Sequence, residues 1–217
     1  MTAAAGKMKL YFYPIAPNPT KVRLYLAEKR LAGGILDVEE VVVDLREREQ
    51  KSAAHLARDP LGRLPVLEVD EGVYLTESLP MMLFLEELYP DPPLVGATAR
   101  QRAEVLNMER IVEQGVFYPV ARIVHATNSP LGFPPNPAIA ENFRSHLPSA
   151  LARLDSLLAD GRSFVMGEHP TVVDCTLAAG LQFARFGEVE FDRDYPNLRA
   201  WDTAFRERSS AKEVLVL

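Results

Sequence analysis

The sequence predicts a two-part protein, a small mixed α/β domain followed by an all-α helical-bundle domain, and three observations support this. Short β-prone runs occur only before residue 76. Three of the four residues at 90–93 are proline, which cannot continue a helix. After residue 98 the apolar residues follow helical spacing. We therefore expect domains at residues 1–89 and 97–217, with a linker at 90–96.

Composition narrows the function classes. The chain has 217 residues and a formal net charge of −6, which argues against nucleic-acid binding because such proteins usually present a basic face. No apolar run approaches the roughly 20 residues of a membrane span, and residues 1–9 lack a signal-peptide pattern. The single cysteine, Cys175, excludes an intrachain disulfide and indicates a reducing compartment, so a cytoplasmic protein is expected. The histidines are scattered without metal-ligand spacing, and we expect no metal.

The first elements form a strand–helix–strand unit. A short aromatic strand at residues 9–13 is stopped by prolines. Pro19 suits the first turn of a helix, with Asn18 as a plausible N-cap, and this helix extends over about residues 20–30. The next strand, at residues 38–43, becomes wholly apolar at its end, which predicts that both of its faces are covered. A charged loop and a short helix follow.

The most informative stretch extends from Asp59 to Tyr89. Pro65 opens an apolar strand, and an X-Pro bond is the peptide bond that most readily becomes cis. A turn at residues 70–72 leads into a second strand, which must be antiparallel to the first. Ser78 stands at the head of the next helix, where free N–H groups and the helix dipole favour a carboxylate. The stretch fits a site for a small peptide-like anion, but a hairpin followed by a capped helix explains it about as well.

The second part of the chain is helical. Four helices are predicted at residues 100–125, 138–159, 171–186 and 195–208. Pro119 is expected to kink the first of them, and Pro148 lies inside the second. The third is apolar nearly all round, so we expect it to be buried. Thr171 and Asp174 at its head resemble a capping box, with Asp in place of Glu or Gln.

Four segments of the chain resemble the soluble glutathione S-transferases. They are residues 10–28, 43–52, 59–78 and 167–179. The segment at 59–78 is the strongest because it joins the strand-opening Pro to Glu77-Ser78 at the family's usual spacing. The resemblance covers nearly the whole chain. It implies a thioredoxin-like domain followed by a helical domain, glutathione as co-substrate, and a homodimer.

The resemblance also implies a set of glutathione-binding residues. Pro65 corresponds to the family's cis proline, and the Leu64 backbone would pair with the cysteinyl part of glutathione as an added strand. Glu77 would bind the γ-glutamyl ammonium, and Ser78 the γ-glutamyl carboxylate. The residues implied near the glycyl carboxylate are Gln50, Lys51 and Arg63. Alternatively, Glu77 and Ser78 form only a helix cap, and the charged residues of the last set are solvated surface groups.

The position that activates the thiol departs from the usual pattern. A hydrogen-bond donor or a helix N-terminus lowers a thiol pKa from its free value near 8.5. Family members place a Tyr, Ser or Cys after the first strand, but the serine position falls on Ala16 here. Members similar to the bacterial nu class carry Thr-Pro-Asn, and Asn18 matches that Asn. We expect Asn18, with backbone N–H groups at the helix start, to be the catalytic residue, unless it is only an N-cap. Tyr13 and Thr20 are weaker candidates.

The second substrate would bind between the domains, where ligand pockets often form. Candidate lining residues are Met108, Ile111, Val112, Gly115, Phe117 and Tyr118, although such a stripe is more often core. Arg110 and Arg122 could assist an anionic leaving group or be surface residues. The expected activity is attack of glutathione on a small hydrophobic electrophile, a detoxification reaction, or reduction of peroxides or disulfides. The alternative is a weakly active or non-catalytic glutathione-binding protein. No cysteine lies near the site, which argues against a cysteine-type mechanism.

Overall fold

The first part of the chain folds around a four-stranded mixed sheet. This computed structural model describes residues 8–34, 37–191 and 193–217. The strands are β1 (Met8–Phe12), β2 (Val38–Val42), β3 (Val66–Asp70) and β4 (Val73–Leu75). The sheet order is β2-β1-β3-β4; β1 pairs parallel with β2, while β3 pairs antiparallel with both β1 and β4. The predicted antiparallel hairpin is therefore confirmed.

Helices complete the first part and make up the second. Those packed with the sheet are α1 (Pro17–Leu31), α2 (Ala53–Leu56) and α3 (Ser78–Leu88). Those of the second part are α4 (Ala99–Val112), α5 (Tyr118–Thr127), α6 (Pro137–Leu157), α7 (Val172–Phe186), α8 (Pro196–Arg206) and α9 (Ser209–Val214). A π-helical turn, Glu113–Phe117, joins α4 to α5. The predicted fold class, a thioredoxin-like α/β domain followed by a helical domain, is confirmed.

Helix α7 forms the centre of the helical domain. It is buried along almost its whole length and packs against α1, α4 and α5. The predicted capping box is present at its start: Asp174 accepts hydrogen bonds from the Thr171 N–H at 2.8 Å and from the Val165 N–H at 2.8 Å. Burial raises the pKa of Asp174 to about 6, although these bonds oppose the rise. Because α7 contacts α1, the core of the second domain also fixes the helix that carries Asn18.

Two predictions about local structure were wrong. The Val41–Val43 run was expected to be covered on both faces, but β2 is an edge strand and Val42 is 54% exposed. Strand order depends on contacts distant in sequence, so an apolar run does not reveal it. Helix α1 begins at Pro17 with Ala16 as its N-cap, and no side chain caps it. Asn18 is therefore inside the first turn and is not an N-cap.

The prolines of the helical domain have different effects. Pro119 lies in the first turn of α5, directly after the π-helical turn that divides the single helix predicted at residues 100–125. The wide turn suits a residue that lacks an N–H and whose ring crowds the carbonyl four residues earlier. Pro148 is accommodated inside α6, which begins at Pro137 with the Asn136 side chain as its cap. Over the part of the chain that is described, no helix is both long and apolar enough to cross a membrane.

Candidate active site

The heads of α1 and α3 meet through a hydrogen bond between two predicted site residues. The Ser78 hydroxyl donates to Asn18 Oδ1 at 3.3 Å. Ser78 is buried, and it occupies the first position of α3. The fold thus brings the predicted catalytic residue beside the residue predicted to hold the γ-glutamyl carboxylate, although 60 positions separate them.

The head of α1 offers few donors, and Asn18 carries them. Pro17 and Pro19 have no N–H, so Asn18 supplies the backbone N–H of this first turn, and it is unpaired within the described residues. Because Oδ1 accepts from Ser78, the Asn18 amide is oriented and its Nδ2 is left to donate elsewhere. The Thr20 hydroxyl is already used, since its one hydrogen is directed to the Ala16 carbonyl at 2.9 Å, with the Pro14 carbonyl as a longer alternative at 3.2 Å. An anion at this position would therefore meet two donors of Asn18.

The head of α3 offers backbone donors instead. Glu77 is the N-cap, and its side chain makes no capping bond. The Met81 N–H is bonded to the Glu77 carbonyl at 3.1 Å, while the N–H groups of Ser78 and Leu79 have no partner among the residues that the structure describes. These free donors and the positive end of the helix dipole make a carboxylate site. The Glu77 carboxylate is 71% exposed and lies 3.9 Å from the Arg63 guanidinium.

The segment before β3 presents an unpaired stretch of backbone. The Leu64–Pro65 peptide bond is cis, as the resemblance implied. The N–H and C=O groups of Leu64 make no hydrogen bond within residues 8–34, 37–191 and 193–217. Leu64 is only partly buried, while Pro65 and Val66 are buried. An extended peptide could pair with Leu64 as an added strand, because both of its backbone groups are available.

Two buried polar residues that the sequence analysis missed position this segment. Asp59 Oδ2 accepts from the Arg63 N–H at 2.6 Å, and His55 Nε2 lies 2.9 Å from the Arg63 carbonyl oxygen. Both side chains are almost fully buried. They fix the peptide groups on either side of Arg63, directly before Leu64. The only sequence signal is the turn-forming pattern that begins at Asp59, whose side chain also accepts from the Leu61 N–H.

Of the three residues predicted near the glycyl carboxylate, two lie together and the third does not. Lys51 is exposed and donates to the Leu61 carbonyl at 3.0 Å. Gln50 is buried, and its Oε1 has no hydrogen bond within the described chain. Gly62 packs on this pair: its φ is +62°, and a Cβ there would lie 2.6 Å from the Gln50 carbonyl oxygen. Arg63 turns towards Glu77 rather than towards Lys51.

The predicted second-substrate residues point in different directions. Gly115 and Tyr118 contact α6: a Cβ on Gly115 would lie 2.8 Å from the Ala150 Cβ, and Tyr118 packs edge-on against Phe143 at 5.6 Å. Met108 packs against the core, and Ile111 is half-buried. The residue of this stripe that contacts α1 is Phe117, whose ring centroid lies 4.4 Å from the Lys21 ammonium. The stripe is therefore split between two surfaces.

A buried charge cluster joins α1 to the helical domain next to this site. Lys21 is 2% exposed and forms an ion pair of 2.5 Å with Glu113. Glu109 is fully buried; one of its carboxylate oxygens accepts from the Thr176 hydroxyl at 3.1 Å, and the other has no hydrogen bond within the described residues. Burial raises the pKa of Glu109, and Lys21 opposes the rise. Glu113 was not predicted, because the π-helical turn that directs it to Lys21 is invisible in the apolar pattern.

Other reactive groups lie away from the site. Cys175 is buried in α7, and burial raises the pKa of its thiol well above the ordinary value, so this residue does not supply a thiolate. Among the described residues, no three or more His, Cys, Asp or Glu side chains are grouped to hold a metal ion. The heads of α1 and α3 thus offer unpaired hydrogen-bond donors to an anion.

Comparisons with known proteins bear on the family and the fold. The family model of the glutathione S-transferase N-terminal domain matches residues 10–93, and that of the C-terminal domain matches residues 137–201. Glutathione S-transferase 2 of Saccharomyces cerevisiae is 29% identical over 96% of this chain and 90% of its own length. Maleylacetoacetate isomerase of Pseudomonas aeruginosa is 30% identical over 95% of this chain and 97% of its own. A glutathione S-transferase domain-containing protein of Marinobacter aquaeolei superposes with a TM-score of 0.84 at 30% identity, covering 94% of this chain and 99% of that one.

Proposed function

The chain belongs to the glutathione S-transferase family, and from that premise we propose that it is an enzyme that binds glutathione across the heads of α1 and α3. In this proposal the bound thiol loses its proton, and the thiolate attacks a hydrophobic electrophile. The observation that carries the proposal is the bond between Ser78 and Asn18, because it orients the Asn18 amide and leaves Nδ2 free. The sulfur would lie at Asn18, next to the carboxylate site of α3.

Thiolate stabilisation falls to Asn18 in this scheme. Its Nδ2 and its backbone N–H donate to the sulfur, and both donors favour the charged form over the neutral thiol. Ala16, the N-cap of α1, has no hydroxyl to contribute. Because these donors are fixed before glutathione arrives, they need little reorganisation as charge develops. The protein supplies this electrostatic stabilisation and holds the thiolate close to its electrophile.

The two ends of glutathione would be bound by different groups. The γ-glutamyl ammonium would pair with Glu77, and its carboxylate with the free N–H groups of Ser78 and Leu79. The Ser78 hydroxyl has one hydrogen, so it cannot donate to Asn18 and to this carboxylate at the same time. The cysteinyl backbone would pair with Leu64, and Lys51 would lie near the glycyl carboxylate.

The second candidate function is glutathione binding with little turnover. Ala16 favours it, because the hydroxyl that many family members use is missing. The intact Glu77-Ser78 pair argues against a scaffold that has lost glutathione, and it is compatible with either candidate. We propose further that the protein is a cytoplasmic homodimer with a detoxification role. Exposed apolar side chains at Leu61 and Val73 are consistent with self-association, and light scattering would measure its mass.

The test combines calorimetry with a conjugation assay. Glutathione binding is measured for the wild type, for Glu77→Gln and for Glu71→Gln, which alters an equally exposed carboxylate on the β3–β4 turn. Conjugation to 1-chloro-2,4-dinitrobenzene is then followed for each protein. Binding that is weakened in Glu77→Gln alone, together with wild-type turnover above the uncatalysed rate, supports the enzyme. Binding without turnover favours the second candidate, and absence of binding overturns the site.

A further inference from the structure

We propose that Arg122 binds a carboxylate on the electrophile, so that the preferred second substrates are aromatic or unsaturated acids rather than neutral compounds. This inference rests on the proposed function, since it assigns a substrate class to the same enzyme. It concerns the face of α5 formed by Tyr118, Arg122 and His125, called here the α5 face. These residues share one side of the helix because they are spaced four and three apart.

The guanidinium of Arg122 forms no ion pair with a carboxylate among the described residues. Within the described ranges no carboxylate or carbonyl accepts a hydrogen bond from its guanidinium, and its Nε is buried without a partner. Arg185 and Arg208 also lie over aromatic rings, but each is paired with a carboxylate, Asp202 and Glu28 respectively. A half-buried guanidinium gains strong, charge-assisted hydrogen bonds when an anion arrives. The missing partner of Arg122 therefore indicates an anionic ligand.

One aromatic ring lies beside this cation, and two more rings belong to the same helix face. The Arg122 guanidinium lies 5.8 Å from the Phe143 ring centroid, and Tyr118 packs edge-on against the same ring. His125 lies 5.8 Å from Phe133. Burial lowers the pKa of His125, and the neighbouring Arg122 lowers it further, so the imidazole is neutral near pH 7. A positive charge on a helix face that also carries flat rings fits a planar acid better than a neutral apolar compound.

The α5 face is connected to the proposed sulfur position by two routes. Helix α5 directly follows the π-helical turn, whose Phe117 and Glu113 contact Lys21, one turn beyond Asn18 in α1. Arg122 lies five residues after Phe117, a rise of roughly 7.5 Å along the helix.

The second route passes through α7. His125 packs against Phe183 at 5.9 Å, and the adjacent residue, Gln182, donates to the Thr20 hydroxyl at 3.4 Å. Thr20 is two residues after Asn18 in the first turns of α1. Both routes connect the α5 face to the first turns of α1, which carry Asn18.

A matched pair of electrophiles tests the inference. In 4-chloro-3,5-dinitrobenzoate the thiolate sulfur forms a bond to the carbon that bears chlorine, and chloride leaves with the electron pair of the broken bond. The thiol proton passes to solvent, and the carboxylate is unchanged. The amide 4-chloro-3,5-dinitrobenzamide undergoes the same substitution but carries no charge. Both rates are divided by their uncatalysed rates with free glutathione, so that intrinsic reactivity cancels.

We expect the wild type to favour the acid over the amide by about tenfold or more in normalised kcat/KM, because hydrogen bonds to charged groups are the strong ones. Arg122→Met should abolish this preference, chiefly through a higher KM for the acid, while its glutathione affinity, measured by calorimetry, stays near that of the wild type. Arg122→Lys should retain part of the preference. Arg199→Met, which removes an exposed arginine of α8, should change neither substrate.

Each outcome bears on a defined claim. If the wild type turns over neither compound, the proposed function fails. If it turns over both without preferring the acid, or if Arg122→Met keeps the preference, the assignment of Arg122 is overturned while the enzyme stands. Wild-type glutathione affinity in Arg122→Met shows that the variant is folded. If Arg122→Met does not fold, Arg122→Lys tests the assignment instead. Lysine lacks the planar fork of donors that arginine offers to a carboxylate, so an undiminished preference for the acid in Arg122→Lys would contradict specific binding by Arg122.

Discussion

The heads of α1 and α3 face the same site, and each helix has a proline at its third position. The two heads nevertheless offer an anion different hydrogen-bond donors. Helix α3 leaves two backbone N–H groups free, on Ser78 and Leu79. Helix α1 has a second proline at its first position, so it leaves one, on Asn18. A site made of backbone depends little on side-chain identity, whereas a site made of one side chain depends on it strongly. We infer that α3 provides general affinity for the γ-glutamyl end and that α1 provides the chemistry.

Removing the Asn18 side chain should have the largest effect. In Asn18→Ala we expect kcat for 1-chloro-2,4-dinitrobenzene to fall about 100-fold, as when one donor to a developing anion is removed. Glutathione affinity should change far less, because Leu64 and the head of α3 are intact. Steady-state kinetics and calorimetry measure the two quantities. Asn142→Ala, on the exposed surface of α6, is the control; equal losses in both variants would contradict a special role for Asn18.

Glu77→Gln should come next and should act on affinity. Loss of the carboxylate leaves the γ-glutamyl ammonium without its partner, and we expect Kd to rise roughly tenfold. The thiol pKa of glutathione, once bound at saturation, should stay lowered, because Asn18 is untouched. Calorimetry with Glu71→Gln as control gives the affinity. A change in kcat with no change in Kd would reverse the division of roles between the two helix heads.

Ser78→Ala tests the bond between the heads and should have a smaller effect. The free N–H groups of Ser78 and Leu79 remain, so glutathione should still bind within a few-fold of the wild type. The Asn18 amide, however, loses the donor that orients it. We therefore expect a drop in kcat that is clear but smaller than for Asn18→Ala, as measured by single-turnover kinetics. An unchanged kcat would show that the amide needs no orientation by Ser78.

The smallest expected effect is on stability, and it comes from the buried charged residues between α1 and the helical domain. The head of α3 has no part in this cluster. Folding raises the pKa of Glu109, so the folded state favours its protonated form. Its contribution to stability is therefore largest below its unfolded pKa and is lost as pH rises through the raised folded value. In Glu109→Gln this loss should vanish, and the variant should gain stability relative to wild type as pH rises above the ordinary glutamate pKa of about 4.3. Urea unfolding across this range measures the difference, and a parallel pH profile would contradict it.

Much of the fold could be predicted from the sequence because its signals are local. The capping box at Thr171 and Asp174, the antiparallel hairpin and the apolar α7 each depend on residues a few positions apart. The edge position of β2 could not be predicted, since strand order is decided by pairing across the chain. For Asn18, the Pro-Asn-Pro pattern fits a helix that begins at either proline, and only the structure shows that it begins at Pro17.

The candidate site could be predicted in part for similar reasons. Pro65 and the Glu77-Ser78 pair were found because they lie in one short segment. His55 and Asp59 were missed because their partner is the backbone of Arg63, whose position is set by the fold. The helical stripe that included Gly115 and Tyr118 assumed an unbroken α-helix. A π-helical turn uses one more residue per turn, so the residues after it are rotated relative to that expectation.

The most direct test of the account is the thiol pKa of bound glutathione. It is obtained by titrating the ultraviolet absorbance of the thiolate in the saturated complex. We predict a pKa at least about one unit below the free value near 8.5 in the wild type, and a return towards that value in Asn18→Ala but not in Glu77→Gln. A wild-type complex that titrates like free glutathione, or a pKa that stays lowered in Asn18→Ala, would contradict the central claim that the head of α1 stabilises the thiolate through Asn18.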